Sequence, residues 1–255
     1  PWSDRLARPS TAGPQTTNGL TPPSPEIKGM IPLLHDFVGE RVLVFGGGPV
    51  GARKARQFAR EAEVVVLAPD FPGEFGDCGG TGSLELVRAA PASGDVAGWL
   101  DRVGPALAVA ATDDATVNDA VGRAAGERGV LVNRADRSTV GRGGGTGTPD
   151  PIRVVVPATV RDGPVVASVA TGGQEPALSR RLRRDLEEVV DGAGELAEVT
   201  AELRAELRDS PPEQRRAAVR AVVDSDAVWK ALDTSDDNLQ ETARAVISDV
   251  TGDSG

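Results

Sequence analysis

The run Arg41-Val42-Leu43-Val44-Phe45-Gly46-Gly47-Gly48-Pro49-Val50-Gly51 ends an apolar, strand-like stretch in a G-x-G-x-x-G. It then passes into Ala52–Ala59, which reads as a helix. That order is what a dinucleotide-binding turn requires. Gly46 permits the tight turn off the strand. Gly48 lets the backbone approach a pyrophosphate with no Cβ in the way, and Gly51 lets the helix lie against the strand. The helix N-terminus offers N–H groups and the positive end of a dipole to phosphates. Pro49 suits the first helical turn, where no helical carbonyl needs its missing N–H.

In an open parallel sheet, ligands bind beyond the carboxyl ends of the strands. That rule selects three more loops: Ala68-Pro69-Asp70, Thr112-Asp113-Asp114 and Asn133-Arg134-Ala135-Asp136. Asp70 stands near the expected place for an acid that accepts ribose hydroxyls, although Leu67 holds the position at the strand end where that acid often sits. Asp70 is either that ligand or an ordinary loop acid. As a ligand it would repel a 2′-phosphate and favour NAD over NADP.

A second anion-binding candidate is Thr171-Gly172-Gly173-Gln174-Glu175-Pro176-Ala177-Leu178-Ser179-Arg180-Arg181-Leu182-Arg183-Arg184. A Gly-Gly turn opens a helix whose first turns are rich in arginine, which suits a ligand rich in carboxylates. The alternative is a solvated helix whose arginines pair with Asp185, Glu187 and Glu188, and spacing leaves the two level. His35 and Cys78, the sole histidine and cysteine, read as structural. Cys78 has no Cys or His partner at metal-ligand spacing.

Around these residues the pattern alternates strand and helix. Strands are expected at Val42–Phe45, Val64–Leu67, Leu84–Arg88, Ala106–Ala111 and Val130–Asn133, and helices at Val50–Glu61 and Ala115–Arg128. Val96–Arg102 reads as a helical turn with Trp99 packing down, and Phe71–Ser83 as a Gly-rich loop. Apolar strands alternating with helices imply a Rossmann-type parallel sheet covered on both faces. Beyond the Gly-rich insert Gly141–Gly147, two β-rich runs are expected at Arg153–Val156 and Val165–Ala170, split by the turn-like Arg161-Asp162-Gly163-Pro164. Helical spacing of apolar residues recurs at Pro176–Val190, Glu195–Arg208, Pro212–Val223 and Asn238–Ser248, with Trp229 expected to anchor their packing. The organisation read from this is a disordered tail over 1–29, a dinucleotide-binding domain over 30–150, a β-rich region over 151–178 and a helical domain over 179–255. Met30, the sole methionine, is the expected natural start.

The formal net charge is −10, and lysine stands only at Lys28, Lys54 and Lys230. Such acidity argues against nucleic acid as the main partner. It also suggests work in concentrated salt, where self-repulsion is screened. No run of about 18 apolar residues is present to span a membrane. No basic segment followed by an apolar core opens the chain. The cytoplasm is the default location.

These pieces resemble the siroheme synthase N-terminal family, the precorrin-2 dehydrogenases. The resemblance is carried by Ile31-Pro32-Leu33, Arg41–Gly51, Arg53-Lys54-Ala55-Arg56, Val66-Leu67-Ala68-Pro69, Ala110-Ala111-Thr112-Asp113 and Leu131-Val132-Asn133. Thr171-Gly172-Gly173 followed by Pro176-Ala177-Leu178 and Arg180-Arg181-Leu182-Arg183 completes it, in family order over about residues 30–190. The resemblance implies oxidation of precorrin-2, an octacarboxylic tetrapyrrole, to sirohydrochlorin with NAD. It implies a homodimer that exchanges its middle β region between subunits. Gly46, Gly48, Pro49, Val50, Gly51, Pro69, Asp70 and Thr112 would then hold NAD. Asn133, Thr171, Gly172, Gly173, Arg180 and Arg181 would meet the substrate, and Asp136 would be the catalytic carboxylate. No resident metal is implied, although some relatives also insert iron. Arg153 and Val154 stand where the family usually has Ser-Phe, and Ala170-Thr171 replaces its usual serine-led turn. The rival classes are a regulatory NAD-sensing domain without chemistry and an inactive assembly protein.

Overall fold

The computed structural model describes residues 31–76, 79–135, 153–171, 175–233 and 238–251. The chain divides after Leu34. In the first unit, residues 31–34 are exposed coil. Every helix and strand described belongs to the second unit, His35–Gly255.

That unit opens with β1 (Arg41–Phe45), α1 (Pro49–Phe58), β2 (Glu63–Ala68), β3 (Ser83–Arg88), α2 (Val96–Val103), β4 (Leu107–Ala110), α3 (Ala115–Glu127) and β5 (Leu131–Arg134). The five strands form one parallel sheet in the order β3-β2-β1-β4-β5. This is the sheet that alternating apolar strands and helices imply, with the chain reversing direction across the sheet between β1 and β4. Side chains alternate across it as strand geometry requires. Leu43, Phe45, Ala108, Ala110 and Val132 pack with α2 and α3, while Val42, Val44, Val64, Val66, Leu107 and Val109 pack with Ala55 and Phe58 of α1. Trp99 of α2 packs against the first cluster, with the Arg102 guanidinium 4.4 Å from its ring centroid.

Beyond the sheet come β6 (Ala158–Asp162) and β7 (Val165–Val169), an antiparallel pair, and then α4 (Pro176–Val190), α5 (Ala193–Glu206), α6 (Pro212–Val223), α7 (Asp226–Asp233) and α8 (Leu239–Thr251). Two sequence expectations change here. Arg153–Val156 is not a strand. It touches β5 through one parallel bridge, Val132 to Arg153, and the Asn133 side-chain amide takes the Val154 carbonyl that a ladder would use. The strand instead starts after Pro157 and includes Arg161 and Asp162, which pair with Val166 and Val165. The turn is therefore only Gly163-Pro164, with glycine at φ +50 in its first position, where a tight hairpin turn calls for one. The other change is α7, eight residues too short to show a helical period in sequence. It carries Trp229, whose Nε1 donates to the Val223 carbonyl at 2.8 Å while the ring packs on the Leu196–Ile247 cluster.

The hairpin is tied down beside its turn by two neighbouring side chains. Arg161 pairs with Glu61 at 2.8 Å, just past α1. Asp162 Oδ2 accepts the Gly194 amide at 2.8 Å, satisfying one of the N–H groups that the start of α5 leaves open. Asp162→Ala removes that cap and should lower stability by about 1 kcal/mol, measured as the urea midpoint. An unchanged midpoint would show that the contact adds nothing.

Candidate functional site

The carboxyl ends of β1, β2, β4 and β5 lie on one edge of the sheet, and the β1–α1 turn is wedged between its neighbours. Gly46 has φ +120, and its N–H donates to the Leu67 carbonyl at 2.9 Å. A Cβ there would overlap the Ala111 carbonyl oxygen, and one on Gly51 would overlap the carbonyl of Gly46. Both glycines are demanded by backbone passing against backbone. Two more constrained glycines were not singled out from the sequence. A Cβ on Gly47 would overlap the Asp70 carbonyl, and one on Gly73 would come within 2.6 Å of the Ala52 side chain. The G-G-G run and the Gly-rich loop were the available signals.

Gly48 differs from its neighbours, because a Cβ there would meet nothing within 4 Å. Its backbone, at φ −73 and ψ −179, is extended, as the residue before a proline prefers. It caps α1 with no side-chain hydrogen bond, and no acidic residue stands in the first turn. Beside that open space, α1 begins with the N–H groups of Val50 and Gly51, which have no helical partner. Pro49, at the first helical position, leaves none of its own.

Asp70 is exposed, two residues after β2 ends, while Leu67 is 1% exposed and packs into the core. Thr112 is held from below. Its N–H and hydroxyl both reach Asn118 Oδ1, at 3.2 and 2.8 Å, and Asn118 Nδ2 donates to its carbonyl at 2.9 Å. Asn118 is buried and was not singled out from the sequence. Asp114 caps α3, accepting from the Thr116 amide at 2.7 Å, the Thr116 hydroxyl at 2.6 Å and the Val117 amide at 3.3 Å. The Thr116 hydroxyl foremost, and then the two amides, hold its carboxyl below the usual carboxylate range. Asp113 beside it is exposed.

Asn133, in β5, is 6% exposed. Its Nδ2 donates to the Val154 carbonyl at 2.9 Å, and its buried Oδ1 has no partner among the described residues. Arg134 beside it is tied to Asp119 at 2.7 Å. Asp136, Gly172 and Gly173 lie outside the described residues, as does Cys78. Thr171 shares a 2.6 Å hydrogen bond with Ser179 in the first turn of α4.

The arginines of α4 divide. Arg181 pairs with Asp185 at 2.8 Å, and Arg183 pairs with Glu187 one turn along. Arg180 reaches only the Pro176 carbonyl, at 3.3 Å. Arg180 and Arg184 make no carboxylate pair among the described residues. No hydrogen bond or ion pair there joins these arginines to the sheet edge. His35 is exposed with its ring 4.4 Å from Phe37, which meets Phe58 edge-on at 5.2 Å. No helix among the described residues is long and apolar enough to cross a membrane.

Comparison with known proteins agrees with this geometry. Residues 33–142 match a family described as NAD(P)-binding. The chain is 29% identical to the precorrin-2 dehydrogenase of Methanosarcina barkeri over 86% of its own length and 93% of that protein. It is 34% identical to the siroheme synthase of Azotobacter vinelandii over 74% of its own length and 38% of that protein. The siroheme synthase of Chromobacterium violaceum is 37% identical over 71% of this chain and 36% of its own length. The chain thus spans little more than a third of the siroheme synthases it matches. Among solved structures it shares the fold of SirC, a precorrin-2 dehydrogenase, with a TM-score of 0.59 at 21% identity, over 88% of this chain and 100% of that one. With the Gly46–Gly51 turn built for a dinucleotide and the match running through the β hairpin and into the helices, the chain is similar to a precorrin-2 dehydrogenase over most of both lengths and to a part of the longer siroheme synthases.

Proposed function

We propose that this chain catalyses the NAD-dependent dehydrogenation of precorrin-2 to sirohydrochlorin, in the cytoplasm and as a homodimer. The observation that carries the reading is the open space at Gly48, at the head of α1, in a chain matching a precorrin-2 dehydrogenase over nearly its whole length. The longer siroheme synthases support the same reading over the part they share with it.

Each role follows from position and chemistry. The N–H groups of Val50 and Gly51 and the positive end of α1 take the pyrophosphate, with Gly46 and Gly48 leaving room and Pro49 shaping the first turn. Pro69 and Asp70 stand on the adenosine side, where the Asp70 carboxylate accepts ribose hydroxyls and disfavours a 2′-phosphate. Thr112, locked by Asn118, lines the crossing toward β4. Bound NAD supplies the acceptor for the hydride that the tetrapyrrole loses. The balancing proton goes to Asp136, two residues past β5 in sequence, whose carboxylate acts as general base. Asp114 is a poor substitute, because its cap hydrogen bonds favour the ionised form and weaken it as a base. Asn133, Thr171, Gly172, Gly173, Arg180 and Arg181 hold the substrate. Of the two arginines, Arg180 is the stronger candidate, since Arg181 is already neutralised by Asp185.

The dimer reading draws on α4 and the hairpin it packs against. Leu178 and Val189, one near each end of α4, are 47% and 45% exposed, and a second copy would cover them. Light scattering should give about twice the mass of one chain, and Leu178→Glu should lower it toward one. A single-chain mass for the unaltered protein would end this part of the reading.

Two substitutions separate cofactor binding from folding. Gly48→Val should fold normally and lose NAD binding by about a hundredfold, because its side chain occupies the phosphate space. Gly51→Ala should destabilise the protein itself, since its Cβ overlaps the Gly46 carbonyl. Unchanged NAD affinity by calorimetry in folded Gly48→Val would remove the cofactor site from this turn. Asp136→Asn should cut turnover by about two orders of magnitude or more with NAD binding intact. Arg180→Ala should instead raise KM for precorrin-2. Near-normal turnover in Asp136→Asn would place the base elsewhere.

A further inference from the structure

α1 is covered by the sheet along one stripe, and the edges of that stripe face different neighbours. Ala52 and Ala59 form one edge, against the Gly73 and Gly82 backbone beside β2 and β3. Gly51 and Phe58 lie toward the other edge, on the side of β4 and β5, where Phe37 covers Phe58. Lys54, three residues after Gly51 and four before Phe58, belongs to this second edge. It is half-buried, and no hydrogen bond or ion pair reaches it among the described residues. Only Lys28, Lys54 and Lys230 are lysines, in a chain of net charge −10 that supplies its other cations as arginine.

Such an ammonium is poorly placed for stability. Burial, and then the neighbouring Arg53, lower its pKa from 10.5 to about 8. A half-buried cation without a counter-charge costs stability, and carboxylates are plentiful in this sequence. The neighbouring face of α1, through Ala55 and Phe58, packs on apolar strand residues, among them Val42, Val44, Leu107 and Val109. Charged groups on α1 and the segments flanking it include Arg53 and Arg56 of the helix itself, Arg60 just past it, Asp36 and Glu40 on either side of Phe37, and the Glu61–Arg161 pair beyond the far end of α1.

Sheet register shows which strand residues lie on the face below Gly51. A helical side chain leans toward the helix N-terminus, so Lys54 leans back toward the level of Gly51. A Cβ on Gly51 would lie 3.7 Å from the Val44 side chain, and Val44 is in register with Val109, which is in register with Asn133. The three share one face of the sheet. Two strand spacings, about 10 Å, separate Val44 from Asn133. Lys54 leans toward one end of that interval, and at the other end Asn133 holds a buried carbonyl oxygen with no donor among the described residues.

We propose that Lys54 is a substrate-binding residue whose ammonium pairs with a peripheral carboxylate of the tetrapyrrole, on the β4–β5 side of α1, while the helix N-terminus keeps the cofactor phosphates. The proposal rests on the dehydrogenase reading for the identity of the substrate. It adds a cation from the dinucleotide-binding helix itself to those of α4.

The test uses the full chain and two readouts. Sirohydrochlorin, the stable product with the same carboxylates, is titrated by absorbance into wild type, Lys54→Met and Lys54→Arg. Precorrin-2 turnover is then followed from pH 6.5 to 9.5. Lys54→Met should weaken sirohydrochlorin binding and raise KM for precorrin-2 by about 10- to 100-fold, the worth of one charge-assisted hydrogen bond. NAD affinity should stay at the wild-type value. In wild type, kcat/KM should fall as pH rises through about 8, because the folded-state pKa is depressed and the ammonium discharges there. Lys54→Arg should restore much of the binding and abolish that fall, since a guanidinium keeps its charge. Unchanged sirohydrochlorin affinity in folded Lys54→Met overturns the proposal. So does a matching loss of NAD affinity, which would assign the lysine to the phosphates. Wild type that binds sirohydrochlorin through Lys54 without oxidising precorrin-2 would overturn the dehydrogenase reading and leave this site standing.

Discussion

The close approach of three backbone segments at the head of β1 is the constraint on which the rest of the structure depends. Gly46 presses against the end of β4, Gly47 against the loop after β2, and Gly51 against the carbonyl of Gly46. Without Cβ atoms at these points, α1 can begin directly above Val44 and aim its first N–H groups at the sheet edge. A methyl group at any of them would push helix and strands apart and remove the seat before any ligand arrived. The apolar packing of Ala55, Phe58, Val64 and Val109 underneath is strong but tolerant of small exchanges. The backbone contacts are not.

Around that point the fold uses polar groups to fix loops. Asn118 spends its side-chain amide on the backbone and hydroxyl of Thr112, and Asp114 spends its carboxylate on the start of α3. The loop after β4 is therefore rigid without help from a ligand. Asn133 is different, with one end of its amide committed to Val154 and the other without a partner among the described residues. Satisfied polar groups build the scaffold here.

Much of this was legible because the relevant residues act locally. A G-x-G-x-x-G between an apolar run and a helix has one geometric use, and the bounds of α4 and α6 follow from prolines at their starts and apolar residues at helical spacing. What escaped reading depended on tertiary partners. Asn118 looks like an ordinary helix residue until Thr112 stands above it. Arg153–Val156 has the composition of a strand, yet a side chain of β5 takes the carbonyl that a neighbour strand would have used. The arginines of α4 could not be sorted by spacing, since each has an acid within a turn or so. Only the geometry shows that Arg181 and Arg183 are paired on their own helix while Arg180 is not.

Charge raises a problem that this sorting helps to resolve. On the proposed reading, a chain of net charge −10 takes up an octacarboxylic substrate, so the long-range field opposes the encounter. Salt weakens that repulsion beyond about 8–10 Å and leaves close contacts largely intact. Attraction therefore has to come from a few cations not already neutralised within the protein. Exposed, paired arginines such as Arg181 would gain little by exchanging one carboxylate for another. A half-buried ammonium at the sheet edge gains more, because its desolvation is already met in the free protein and its field is less screened. Concentrating binding energy in such groups lets the rest of the surface stay acidic, as concentrated salt would favour, without losing the substrate.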